Sequence, residues 1–297
     1  MSRGLPEIAR AGLLNASVIP SPRDFIRMNP DLPAVLVSGA SSGIGRETAL
    51  LLARSGFRVF AGVRNEAASS DLLAQGLENI IPLFLDITKE ESIRAMGVRL
   101  ANENLAGIVN NAGSALLGPM EFLPLPEIRD QFELNLFGHI AVTQATLPAL
   151  RKSRGRIVNI SSISGKIGFP FAGAYVGSKF ALEGLTDSWR RELQPQGIAV
   201  TLIEPGNIST PIWSKSFEQS RTVARQFKPA AFELYGERLM ASKRSVNRMS
   251  TPDAVAKVVL RALTARQPKT RYVVGRDAHV YLLMRRFLPD RLLDRFV

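Results

Sequence analysis

The chain has 297 residues, 45% of them hydrophobic and 22% charged, which is enough apolar content for one large core or two small ones. It contains no cysteine, which excludes disulfides and thiolate-bound metals and fits a reducing compartment. No apolar run approaches the ~18 residues that a membrane span needs.

The net charge is +12, and it sits at one end: residues 221–297 hold 17 Lys/Arg against 6 Asp/Glu, whereas residues 1–220 hold 21 against 20. Such an excess is either a solvated surface or an attraction to an anionic partner. The chain shows no nucleic-acid motif and no interleaving of aromatic and basic residues, so no nucleic acid is expected.

In chain order, residues 1–32 read as an N-terminal arm. Arg3 and Arg10 precede a short apolar stretch over 11–19, and Pro20, Pro22, Pro30 and Pro33 follow. A secretory signal would need a longer apolar run and a small-residue cleavage site.

Regular structure begins at Ala34. Seven short runs rich in Val, Ile and Leu (34–38, 58–63, 80–85, 107–110, 156–161, 199–204 and 271–274) read as strands. Stretches of helical period lie between them at about 44–55, 89–103, 127–151, 174–194 and 251–265. Continuously apolar strands are buried on both faces, and strand–helix alternation implies βαβ units. The expected fold is α/β, a doubly wound parallel sheet of about seven strands in one domain over 33–278.

Two segments break this rhythm. Residues 207–250 carry Trp213, Phe217, Phe227, Phe232 and Tyr235 among basic residues, and a connection this long reads as a helical lid over a site. Its aromatics would line an apolar pocket, pack the lid on the core, or do both. Residues 279–297 form a basic amphipathic tail, with Val280, Leu283, Met284, Phe287 and Leu288 beside Arg285 and Arg286, interrupted by Pro289. Such a tail docks on the body or touches anionic membranes peripherally.

The first strand leads into Ser38-Gly39-Ala40-Ser41-Ser42-Gly43-Ile44-Gly45, which opens a helix. Glycines let backbone approach a dinucleotide pyrophosphate, and the helix N-terminus offers free N–H groups. The second strand ends in Val63-Arg64, with no carboxylate to accept from the ribose hydroxyls of NAD. A guanidinium there suits the 2′-phosphate of NADP.

Tyr175 and Lys179 stand four residues apart on a helix and so share a face. A free phenol, with a pKa of about 10, is ~0.1% ionised at pH 7. A nearby ammonium and an oxidised nicotinamide would lower that value, and one charge at about 4 Å supplies up to ~4 kcal/mol. In reduction the protonated phenol donates to the forming alkoxide. Ser162, thirteen residues earlier, can hold the substrate oxygen against Tyr175; Ser161 is the neighbouring alternative.

The turn and the Tyr-x-x-x-Lys pair together resemble short-chain dehydrogenases/reductases, with Ser38 in place of the family's Thr. The resemblance spans about residues 34–275 and implies a Rossmann-type fold. It implies a catalytic tetrad of Asn135, Ser162, Tyr175 and Lys179, with Asn135 anchoring a water beside the lysine. It further implies cofactor contacts from Gly39, Ser41, Ser42, Gly43, Ile44, Gly45 and Arg64. Asp86 and Ile87 would meet the adenine, and Asn111, Ala112 and Gly113 would border the cofactor with Tyr175 and Lys179. Pro205, Gly206, Ile208 and Thr210 would hold the nicotinamide amide. Asn110 reads as a structural brace.

Residues 178–185 and the long lid resemble the steroid- and retinol-dehydrogenase-like branch. The expected function is NADP(H)-dependent hydride transfer involving a hydrophobic ketone, aldehyde or secondary alcohol, with Ser162, Tyr175 and Trp213 in the substrate pocket. A catalytically silent NADP-binding sensor or scaffold is the alternative. The family implies a homodimer or homotetramer. The expected location is the cytoplasm, with membrane association through the tail. The two histidines, His139 and His279, are too few for a three-histidine metal site and read as structural, so no metal is expected.

Overall fold

A computed structural model describes residues 32–242 and 249–297. The expected arm over 1–32 lies outside the described residues except for residue 32, as does part of the expected lid. Seven strands form one wholly parallel sheet: β1 (Ala34–Val37), β2 (Arg58–Val63), β3 (Ile80–Phe84), β4 (Leu105–Asn110), β5 (Arg156–Ile160), β6 (Ala199–Pro205) and β7 (Arg271–Val274). Their order is β3-β2-β1-β4-β5-β6-β7. The order reverses between β1 and β4, and beyond the carboxyl ends of the strands this reversal opens a crevice.

The helices are α1 (Gly43–Arg54), α2 (Glu66–Leu73), α3 (Glu90–Leu100), α4 (Leu125–Phe132), α5 (Gly138–Ser153), α6 (Gly173–Leu193), α7 (Ile212–Ala224), α8 (Pro229–Ser242), α9 (Pro252–Thr264), α10 (Arg276–Phe287) and α11 (Asp290–Leu293). Successive strand residues point to opposite faces. Val35 and Val37 therefore enter one core with Leu50, Leu52, Val255 and Val259 of α1 and α9. Leu36 enters the other, with Met96, Leu100, Val142, Leu150 and Trp189 of α3, α5 and α6.

Three expectations change. The helix expected over 127–151 is two helices joined by a π turn, Glu133–Phe137. The turn carries Asn135, which is fully buried and bonded to Ser114 and Ser178. The helix α2 was not foreseen. It is started by Asn65, whose side chain accepts from Ala68 N–H at 2.9 Å. The boundary expected after residue 278 falls inside α10, because Ala278, Tyr281 and Leu282 pack on Ile163, Ile167 and Phe169. The first turns of the tail are thus part of the domain.

Candidate active site

The turn after β1 is held from behind. The Ser38 hydroxyl donates to Val109 O at 3.3 Å and accepts from the N–H groups of Asn111 and Ala112 at 3.0 and 3.1 Å. Gly39 has φ +67°, and a Cβ on it would come within 2.8 Å of Ala112 Cα. Gly43 has φ +56° and faces Thr210, whose Cγ2 lies 3.1 Å from where a Cβ would stand. Both positions therefore favour glycine on strain and on space. The result is a shallow backbone cradle at the N-terminus of α1, which fits a pyrophosphate.

A cavity of about 680 Å³ extends from this cradle past the ends of β2, β3, β4, β5 and β6. Its walls include Gly39, Ser41, Ser42, Gly43 and Ile44 of the turn, Arg64 after β2, and Asp86 and Ile87 after β3. Asn111, Ala112 and Gly113 follow β4, while Ser161, Ser162, Tyr175 and Lys179 form the middle. Pro205 at the end of β6 and Gly206, Ile208 and Thr210 after it complete the wall, and Trp213 stands on the lid.

Two expected site residues do not line this cavity. Gly45 lies beneath the turn, where a Cβ would collide with the Gly39 carbonyl and the Asn111 side chain, so it serves close packing. The Asn135 amide is used in structure: its Oδ1 accepts from Ser114 N–H at 3.1 Å, and its Nδ2 donates to Ser114 O at 3.0 Å and Ser178 Oγ at 3.1 Å. That side chain ties the loop after β4 to α6. Asn110 braces the sheet, donating to Thr143 Oγ1 at 2.9 Å and Asn159 Oδ1 at 2.8 Å.

Ser114, Gln131, Ile212 and Lys215 also line the cavity and were missed. Gln131 had a weak signal, a polar residue in an amphipathic helix. It is buried, receiving Leu116 N–H at 2.6 Å and donating to Ser114 O at 2.9 Å.

Burial dominates the electrostatics of the centre. Burial raises the Tyr175 phenol above its usual value, and the Ser162 hydroxyl facing it pulls the other way. The Lys179 ammonium donates to Ile160 O at 2.9 Å and lies 5.9 Å from the Tyr175 ring centroid. Burial brings it down to about 8, opposed by Glu183. Tyr175 is therefore a neutral phenol at pH 7. Ser162 accepts from Ser164 N–H at 3.1 Å, which fixes its rotamer.

His139 is buried behind the Asn111–Gly113 loop, with Nε2 2.7 Å from Ala112 O. A carbonyl only accepts, so Nε2 carries the hydrogen. Burial, then the Lys179 charge, push this imidazole down to about 3. Asp86 is pushed up by burial, but two hydrogen bonds from Thr88 and the Arg64 charge hold it below its usual value.

The profile of the short chain dehydrogenase family matches residues 33–221. The chain belongs to that family. It is 38% identical to a 3-amino-tetrahydro-pyrrolizinone reductase of Xenorhabdus hominickii, over 82% of this chain and 87% of that one. It is 35% identical to retinol dehydrogenase 5 of Mus musculus, over 91% of this chain and 90% of that one, which agrees with the retinol-dehydrogenase-like branch. Among solved structures, NADP-bound ElxO superposes with a TM-score of 0.67 at 25% identity, over 82% of this chain and 96% of that one.

In this short-chain dehydrogenase the lid is anchored at both ends. Ser250 N–H donates to Asn207 O at 2.9 Å, and Ser209 N–H donates to Ser250 O at 2.8 Å. Between these points, Ser216 Oγ and Ser220 Oγ of α7 accept from Ala115 and Leu117 N–H at 3.2 and 2.9 Å. Phe227 and Tyr235 pack on Phe122, and Tyr235 donates to Glu121 at 2.9 Å. Phe227 and Tyr235 thus pack the lid down, and Trp213 faces the cavity.

Proposed function

We propose that this oxidoreductase is NADP(H)-dependent and moves a hydride between the nicotinamide and a hydrophobic ketone, aldehyde or secondary alcohol. The observation that carries the reading is convergence: Tyr175, Ser162 and Lys179 open into the same cavity as the glycine cradle and Arg64. NADP rather than NAD is supported by Arg64 at the end of β2, where a carboxylate would favour a free ribose diol. The NADP held by ElxO, a related fold, agrees.

Gly39–Ile44 would cradle the pyrophosphate, Arg64 the 2′-phosphate, and Pro205, Gly206, Ile208 and Thr210 the carboxamide end. The reduced cofactor, when bound, supplies the hydride. Ser162 donates to the substrate oxygen and holds it toward Tyr175. The Tyr175 phenol, neutral at pH 7, delivers its proton to that oxygen as charge builds on it. The Lys179 ammonium stabilises the phenolate left behind. In the reverse direction the phenolate takes the proton of the alcohol, and Tyr175 is the base.

Trp213 and Ile212 give the pocket its apolar wall, which supports a hydrophobic substrate. The test is NADPH oxidation against a panel of cyclic and aliphatic ketones, with Tyr175→Phe as control. Turnover that survives this substitution would remove the mechanism, and absence of turnover with an intact NADPH complex would favour a sensor or scaffold.

Peripheral contact with an anionic membrane belongs to the same reading. α10 packs on the body through Ala278, Tyr281 and Leu282, and on the opposite face Val280, Leu283 and Phe287 are 55%, 59% and 69% exposed. Arg276 and Arg286 are exposed on the same helix. Among the described residues no helix is long and apolar enough to cross a membrane, so this contact would be interfacial.

A further inference from the structure

A buried cluster of charge lies behind Lys179, and the chemistry proposed above does not use it. Glu183 follows Lys179 by four residues on α6, so both lie on one face of the helix. Its carboxylate meets Lys166 Nζ at 2.7 Å and Arg271 Nε at 3.3 Å. Glu204, at the end of β6, sits on the same two cations, with Arg271 Nε at 3.1 Å and Lys166 Nζ at 3.6 Å. The Glu183 and Glu204 side chains are only 6% and 2% exposed.

The cluster gathers charge from every element around it. Lys166 comes from the segment after Ser162, Arg271 from β7, and Glu183 and Asp187 from α6. Arg271 also holds Asp187 at 2.8 Å, so its charge is divided among three carboxyl groups. Asp187 has Arg190 as a further partner at 3.1 Å. Lys179 is the remaining neighbour, four residues before Glu183. Oε1 of Glu183 has no hydrogen-bond partner, and Oε1 of Glu204 meets Arg271 and Lys166 as ion pairs without well-aligned hydrogen bonds. Two ionised carboxylates, buried side by side with such divided compensation, repel each other, and a proton on one removes the repulsion.

We propose that Glu183 and Glu204 share one proton at neutral pH, and that Glu183, acting through Lys179, is a positioning residue that sets the pH range of proton transfer at Tyr175. The second half rests on the oxidoreductase reading; the first does not. Burial and then the Glu183 charge push Glu204 up to about 7, so it carries the shared proton below that pH. Burial brings Lys179 down to about 8, and the Glu183 charge holds it from falling further.

The sign of the effect follows. Below pH 7, with Glu204 protonated, Lys166, Lys179, Arg190 and Arg271 face only the carboxylates of Glu183 and Asp187. As pH rises, Glu204 ionises, and the added negative charge keeps the proton on Lys179 longer. The cluster thus extends toward alkaline pH the range in which Tyr175 has a charged ammonium beside it. Removing either carboxylate charge shortens that range.

The test uses the full chain in two arms. In the first, glutamate carboxyl carbons and lysine ε-carbons are titrated by carbon-13 NMR without ligand, with Lys179 assigned through Lys179→Arg. The expected result is one glutamate with a midpoint near 7, which disappears in Glu204→Gln. The Lys179 midpoint falls by ~1 unit in Glu183→Gln and returns in Glu183→Asp. In the second arm, the alkaline limb of kcat for ketone reduction moves down with it, and Glu183→Asp restores its position.

If all glutamates titrate below about pH 5.5, proton sharing is overturned. If the Lys179 midpoint is unchanged in Glu183→Gln, or the kcat limb does not follow it, the positioning role is overturned. A wild-type chain without turnover but with the expected titrations overturns the oxidoreductase reading and the role at Tyr175, while proton sharing stands.

Discussion

Asp277, on the first turn of α10, accepts a hydrogen bond from the backbone N–H of Asn207 at 2.6 Å. Asn207 continues the Pro205–Gly206 turn that walls the cavity after β6. The last long helix is therefore tied to the backbone that would hold the nicotinamide end of a cofactor. Gly206 lies so close to the Asp277 carboxylate that a Cβ there would collide with it.

Loss of this bond loosens the turn. A hydrogen bond to a charged group contributes about 1.5–3 kcal/mol. Asp277→Ala will weaken NADPH binding by about tenfold or more, a free-energy loss of about 1.4 kcal/mol per decade. Asp277→Asn, which keeps an acceptor oxygen, will lose less. Fluorescence titration of NADPH reads both, and identical affinity in all three proteins would count against the tie.

The proposed NADP preference rests on Arg64. Arg64→Asp removes a guanidinium worth about 1.5–3 kcal/mol on a phosphate and adds repulsion. NADPH affinity will fall by at least about tenfold, while NADH affinity will hold or rise. Parallel losses for both cofactors would contradict the assignment.

His139 makes the fold sensitive to acid. Its folded value, about 3, lies below the ordinary value of 6.5, so the unfolded chain binds the proton more readily in that window. Stability is full above pH 6.5 and falls as pH drops toward 3, by about 1.4 kcal/mol per unit while only the unfolded state is protonated. His139→Gln keeps a donor for Ala112 O and will flatten this part of the urea-denaturation profile. An unchanged profile would show that His139 titrates normally.

The outer face of α10 tests the membrane contact. Truncation before α10 would uncover Ile163, Ile167 and Phe169, so substitution is the cleaner experiment. Val280→Ser, Leu283→Ser and Phe287→Ser together will abolish co-sedimentation with phosphatidylserine-containing vesicles and leave the melting temperature unchanged within ~2 °C, because these side chains are exposed. Equal sedimentation of both proteins would remove the contact.

Much of this was legible from the sequence because it rests on local rules. Continuous apolar strands and helical periods gave the sheet, and Gly39, Gly43, Tyr175 and Lys179 declared themselves by spacing. What stayed hidden depended on tertiary partners. The side-chain amide of Asn135 bonds Ser114 and Ser178, partners that no spacing in the sequence announces. The π turn that buries it adds one residue to a helix whose sequence period looks unbroken. Periodicity also cannot report how much desolvation opposes a neighbouring charge at the Tyr175 phenol. Asp277 and Glu204 carry no motif, since Asp277 meets a residue 70 positions away and Glu204 meets Lys166 and Arg271, 38 and 67 positions away.

The most direct measurement is the pH dependence of single-turnover ketone reduction by the NADPH complex, comparing wild type with Tyr175→Phe. Delivery of a proton by a neutral phenol predicts a loss of about 10²–10⁴-fold in Tyr175→Phe at pH 7, with NADPH affinity retained. Reduction at the wild-type rate in that variant would contradict it.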